Sequence, residues 1–243
     1  MFASDEEYYA DREYLTNSSL KLLHKSPSLF YMWLKGKDAN PSSLALDMGK
    51  AFHALSLEDK EVFVGYEGTR RGKEYTAFCA ENPEKIVLTQ KDADTIYRMN
   101  DALRKCPEAM SLMEGGTPEV PATGEWNGIK IKGKADLVVD KDFSPEYLVD
   151  VKTTGGELSE FSRSAKYMGY DQQAAIYCQL FGVDRFYFVV VTKSFPYDIG
   201  IYECSPAFLT MGVIKANEAI DKYKKLFLEN DFNPYRAAEI KLL

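Results

Sequence analysis

The sequence predicts an α/β (α+β) sandwich, with a central mixed β-sheet flanked by helices and a helical region at its N-terminal end. Three observations predict it. Apolar residues recur at helical spacing through much of residues 16–107. From residue 118 the spacing switches to period two. The remainder reads as a helix, two strands and a last helix. Strands interleaved with helices bury their apolar faces by stacking the helices on a sheet.

The stretch "TNSSLKLLHKSPSLFYMWLKG" (16–36) opens on cap residues and carries Leu20, Leu22, Leu23 and Leu29 at helical spacing. Pro27 interrupts it, which predicts two short helices. In 41–59, Leu44, Met48, Phe52 and Leu55 predict a third. "EGTRRGKEYTAF" (67–78) places three basic residues around a glycine, ahead of another helical pattern. Thr89 caps an amphipathic helix striped by Ala93, Ile96, Met99 and Leu103 and stopped by Pro107.

Residues 118–140 alternate. Ile129, Ile131, Gly133, Ala135, Leu137 and Val139 are expected on one face, with Lys130, Lys132, Lys134, Asp136 and Val138 on the other. Asn127-Gly128 is a hairpin signal, and "DKDFSPE" (140–146) turns the chain into "YLVDVKTT". A helix over 158–181 closes at Gly182. Strands follow over 185–192 and 198–204, and a helix runs from about Pro206 to Glu229.

No repeat, low-complexity segment or Gly/Ser/Pro-rich linker divides the 243 residues, so residues 1–243 read as one domain with an acidic lead-in over 1–13. That lead-in lacks the basic and apolar regions of a signal peptide, and no apolar run reaches membrane-spanning length. The four cysteines form no CxxC pair and have no histidine at zinc-finger spacing. Free thiols in a cytoplasmic protein are therefore expected, without a zinc or iron–sulfur site. A net charge of −7 argues against a broadly basic nucleic-acid binder and leaves local patches open.

The chemistry is expected at "LVDVKTT" (148–154). Asp150 and Lys152, two apart on a strand, project to the same face. A buried charge is costly unless it is paired or binds a metal. The triplet alone also fits a strand-edge ion pair. If 129–139 and 147–153 pair as a hairpin, Asp136 converges on Asp150, and two such carboxylates repel unless a cation sits between them. Oxygen ligands suit Mg²⁺ or Mn²⁺, and a neighbouring lysine stabilises charge developing on a phosphate. His53 lies four residues after Gly49 on a helix among apolar neighbours, whereas His24 lies in a polar turn and is given no role. Gln173 and Tyr177, at i and i+4, share a helical face that can lie against the site.

Taken in order, Gly49-x-x-x-His53, Glu119, "GKAD" ending in Asp136, Asp150-Val151-Lys152 and Gln173-x-x-x-Tyr177 resemble the PD-(D/E)xK nuclease superfamily, and within it the phage and prophage exonucleases of the exonuclease VIII group. "SSLKLLHKSPSLFY" and "MGKAFHALSLED" resemble that group too, and the likeness spans roughly 14–235. It implies a restriction-endonuclease-like core. Asp136, Asp150, the Val151 carbonyl and His53 would hold Mg²⁺ or Mn²⁺, with Lys152 as the catalytic lysine and Glu119 (or Glu125) as an accessory acid. Asp150 stands where the family usually has glutamate. Gln173 and Tyr177 would support the site or contact DNA. Arg70, Arg71 and Lys73 would meet DNA phosphates, with the Lys130–Lys134 row as a second patch. The implied activity is 5′ to 3′ digestion of linear double-stranded DNA in phage-type recombination, in the cytoplasm of a bacterial or phage-encoded system. The implied assembly is a homo-oligomeric ring working with a single-strand annealing protein. The alternatives are a single-strand or structure-specific nuclease of the same superfamily, and a catalytically inactive DNA-binding module on a nuclease fold.

Overall fold

The computed structural model describes residues 2, 4–37 and 43–234. Hydroxyl caps set the first four helices. Ser4 caps α1 (Asp5–Ala10), Thr16 and Ser19 form a capping box on α2 (Asn17–Lys25), Ser26 caps α3 (Pro27–Leu34) and Ser43 caps α4 (Leu44–Glu58). Each oxygen accepts from an N–H that the first helical turn leaves unpaired. Residues 41–42 of the helix expected over 41–59 lie outside the described residues.

β1 (Phe63–Tyr66) and β2 (Ile86–Thr89) pair in parallel, with α5 (Lys73–Glu81) between them. Four-residue strands are too short to show periodicity, so the sequence did not reveal this small sheet. α6 (Gln90–Arg104) follows, capped by Thr89, and Pro107 opens α7 (Pro107–Met113). A proline suits the first helical position, because the N–H it lacks would be unpaired there anyway.

The central sheet begins as a meander of β3 (Thr117–Trp126), β4 (Ile129–Lys141) and β5 (Ser144–Thr154). Asn127 and Gly128 make the first turn with φ of 50° and 77°, the left-handed pair that a tight hairpin requires. The helix expected over 158–181 is split. A 3₁₀ turn and α8 (Phe161–Tyr167) lead to Gly169 at φ 67°, and α9 (Tyr170–Phe181) restarts beyond it. β6 (Phe186–Thr192), β7 (Ile199–Glu203) and α10 (Pro206–Tyr223), which runs on into a π turn at Lys224–Leu228, complete the chain as expected.

The strand order is β3-β4-β5-β6-β7. β5 and β6 are parallel, joined by the α8–α9 crossover, and the other pairs are antiparallel. Every residue of β6 is buried, as a strand covered on both faces requires. One face packs Val149, Val151, Val189 and Val191 against Phe52 of α4 and Ile96 and Met99 of α6. The other packs Leu148, Phe186 and Phe188 against Phe161 of α8 and Ala174 of α9. A third cluster joins Leu20, Leu23 and Phe30 to Ile131, Ile176 and Ile220, seating the N-terminal helices on the sheet.

β4 departs from the simple alternation. Ala135 and Val138 both pack on the α9 side, while Leu137 and Val139 pack on the α4–α6 side. The strand changes phase at Asp136. The β3–β4 pairing passes from Pro118–Leu137 to Val120–Ala135 and leaves Glu119 and Asp136 outside the ladder. Glu119 is in the left-handed region, at φ 55°. A non-glycine residue there marks a locally strained backbone, and here it turns two carboxylates out of the sheet.

Candidate active site

The phase change puts Glu119 and Asp136 beside His53 of α4. Ligand atoms of these three residues lie within 4.8 Å of one another, and all three are half-buried. His53 Nδ1 is 3.4 Å from Asp136 Oδ2. Ala51, Phe52 and Ala54 anchor α4 in apolar surroundings, which leaves His53 facing the acids. Asp136 Oδ2 also accepts the Val151 N–H at 3.0 Å.

Asp150 lies one strand over and is 1% exposed. Lys152 Nζ is 2.5 Å from its Oδ2, and Gln173 Nε2 donates to its Oδ1 at 2.5 Å. Asp150 Oδ2 is thus satisfied by the Lys152 ammonium, through charge and a side-chain hydrogen bond. Burial pushes the Asp150 carboxyl up to about 6; Asp136 pushes the same way and Lys152 opposes it. Burial disfavours the Lys152 ammonium, but Asp150 and Asp136 outweigh it and raise its pKa. Lys152 is therefore held as a cation.

Tyr177 reaches the cleft from α9, its ring over Gly133. A Cβ at that glycine would stand 2.7 Å from the ring. Burial raises the Tyr177 phenol well above its ordinary value, with Tyr8, Asp136 and Asp150 adding to the shift. Arg70 is bound to Asp47 at 3.2 Å and to the Tyr75 hydroxyl at 3.2 Å, while Arg71 and Lys73 are exposed. None of the three lines the cleft. Glu125 lies near the hairpin turn, opposite Lys130, and is outside the cluster.

The lysine row is not an open patch. Lys132 is 1% exposed and donates to the carbonyls of Tyr8 and Asp11 and to the Asp11 carboxylate. Lys134 pairs with Glu119 at 2.7 Å and with Asp5 at 3.2 Å, and Lys130 pairs with Glu13. The acidic lead-in thus folds across this row. Its backbone docks there as well: Leu15 N–H donates to the Lys130 carbonyl at 2.9 Å, and Lys132 N–H donates to the Leu15 carbonyl at 2.8 Å. Sequence reasoning missed this contact. The available signal was complementary, an acidic and aromatic "DEEYYADREY" against lysines at every second residue.

The resulting cleft holds about 710 Å³. Tyr8, Tyr9 and Arg12 line it on one side, and His53, Glu119 and Asp136 on another. Two carboxylates and one imidazole whose ligand atoms converge this closely suit a hard divalent cation. All four described cysteines are free. No described helix is long and apolar enough to cross a membrane.

A mixed five-stranded sheet, helices on both faces and this polar cluster on the β3–β4–β5 meander define a restriction-endonuclease-like PD-(D/E)xK core. The chain belongs to the family described as a PDDEXK-like domain of unknown function (DUF3799), whose model matches residues 16–243. The fold is similar to a solved structure from Eubacterium rectale, of a protein named as a candidate exonuclease. Its TM-score is 0.68 at 23% identity, over 92% of this chain and 86% of that one. A phage-related exonuclease from Haemophilus somnus 129PT aligns at a TM-score of 0.42 and 16% identity, over 89% and 96% of the two chains, too distantly to support an argument about this one. No curated protein matches the chain.

Proposed function

We propose that this protein is a metal-dependent nuclease that digests linear double-stranded DNA from its 5′ ends. One observation carries the reading. His53, Glu119 and Asp136 converge within 4.8 Å while a protonated Lys152 stands against buried Asp150 on the adjacent strand. His53, Asp136, Asp150 and the Val151 carbonyl would hold Mg²⁺ or Mn²⁺, with Glu119 as the accessory acid. The ion supplies Lewis acidity toward a phosphoryl oxygen and a lowered pKa for water.

The chain's own groups do the rest. Lys152, kept charged by two carboxylates, stabilises negative charge developing on the phosphoryl group. Gln173 fixes the Asp150 carboxylate, and the Val151 N–H fixes that of Asp136, so neither needs to reorganise during the reaction. Tyr177 walls the cleft and orients what enters it. Arg70, Arg71 and Lys73, away from the cleft, are read as contacts to the phosphate backbone further along the duplex.

The recombination role, the cytoplasmic location, the homo-oligomeric ring and the single-strand annealing partner belong to the same reading and rest on the family resemblance. Digestion of end-labelled linear, single-stranded and circular substrates tests it. Digestion restricted to single strands or to branched DNA would favour a structure-specific enzyme. Binding of DNA without Mg²⁺-dependent cleavage would favour the inactive module.

A further inference from the structure

The described residues contain a second lysine beside the site that the reaction scheme leaves unused. Lys21 of α2 and Lys152 of β5 both lie over the Tyr170 ring, at 5.8 and 5.1 Å from its centroid. Their partners differ. Lys152 is held to Asp150, whereas Lys21 makes no ion pair with any carboxylate among the described residues. Lys21 is half-buried, and its methylene stem runs beside Gly169, where a Cβ would meet the lysine Cδ at 3.7 Å. Burial, then the charge of Lys152, lowers the Lys21 pKa.

Lys152 already has Asp150 as its counter-charge, whereas Lys21 stands beside that cation with none among the described residues, an arrangement that a phosphate anion at Lys21 would relieve. The ring face itself attracts cations and fixes where both ammoniums stand. This arrangement differs from the Lys130–Lys134 row, where acidic groups already satisfy the ammoniums.

We propose that Lys21 is a substrate-contacting residue that clamps the DNA phosphate adjoining the one whose developing charge Lys152 stabilises. The inference rests on the nuclease reading and adds a residue to it. The clamp binds a phosphodiester monoanion by charge, so it contributes affinity and register without base preference.

Lys21→Met tests it, since methionine retains a flexible stem against Gly169 and removes the charge. Binding of a fluorescent linear duplex is read in Ca²⁺ as a function of salt, alongside steady-state digestion in Mg²⁺. The clamp predicts about tenfold weaker binding and a salt slope reduced by about one. It also predicts a KM raised by a similar factor with kcat changed far less, substantial rescue by Lys21→Arg, and an unchanged or higher melting temperature. Wild-type digestion with an unchanged Lys21→Met salt slope overturns the clamp alone. Loss of fold in Lys21→Met, without rescue by Lys21→Arg, makes the residue structural and also overturns it. Absence of any wild-type digestion or DNA binding overturns the nuclease reading, and the clamp with it.

Discussion

The Val151 N–H donates to Asp136 Oδ2 across 3.0 Å, so a carboxylate substitutes for a ladder bond where β4 and β5 part. Pairing of these strands extends from Leu137–Val149 toward the hairpin turn and not to Asp136. One side chain thereby has two duties, to satisfy a backbone donor and to face His53 and Glu119.

The two duties separate by mutation. Asp136→Asn retains an oxygen for the Val151 N–H and should melt near wild type. Asp136→Ala orphans that donor and should cost about 1–3 kcal/mol in urea unfolding. Both should lose Mn²⁺ binding in isothermal titration.

Lys152→Met keeps the stem and removes the ammonium. It should lower Mg²⁺-dependent turnover at least about 100-fold, measured as release of labelled nucleotide, while circular dichroism shows a folded protein. Full activity would remove the lysine from the mechanism.

Asp150 gives a signed pH dependence in the absence of metal. Its folded pKa is about 6, against about 3.9 for an ordinary aspartate. The folded protein holds that proton more tightly than the unfolded chain does. The residue's contribution therefore favours folding below about pH 4 and is lost as pH rises through about 6. In EDTA, the stability of wild type relative to Asp150→Asn should fall by on the order of 3 kcal/mol between pH 4 and pH 7. Metal affinity should rise with pH over the same interval, because the ion takes the ionised form.

Much of the fold was legible because long elements leave long patterns. The α6 stripe of Ala93, Ile96, Met99 and Leu103 is buried as the periodicity requires, and Asn127-Gly128 turns as its dihedral freedom requires. The order of the proposed site residues rests on motif resemblance. Period two along β4 fails at Asp136 for a non-local reason, the left-handed Glu119 on the opposite strand. The apolar run Leu137-Val138-Val139 hinted that both faces were covered. The fate of the β4 lysines depends on a segment more than a hundred residues earlier, and no local pattern carries that.

Lys132 tests whether the acidic lead-in, and not DNA, holds the β4 lysines. Lys132→Met removes the buried ammonium that binds the Tyr8 and Asp11 carbonyls and the Asp11 carboxylate, leaving Asp11 its Tyr14 and Arg12 donors. It should destabilise by about 2–5 kcal/mol, read in thermal or urea melts. The salt slope of DNA binding should be unchanged, whereas a phosphate contact would lower it.

Gly133→Ala places a methyl group 2.7 Å from Tyr177 and 3.0 Å from Leu180. Overpacking of this kind costs about 1–3 kcal/mol. Because the displaced ring lines the cleft, digestion should fall as well, with little recovery on added Mg²⁺.

The most direct measurement is digestion of end-labelled linear duplex DNA by wild type and Asp136→Asn, each with Mg²⁺ and with EDTA. Nucleotide release by wild type in Mg²⁺ alone, with none from the variant, is the expected result. Release that persists in EDTA or in Asp136→Asn, or no release by wild type under any divalent cation, would contradict a metal-dependent nuclease centred on that aspartate.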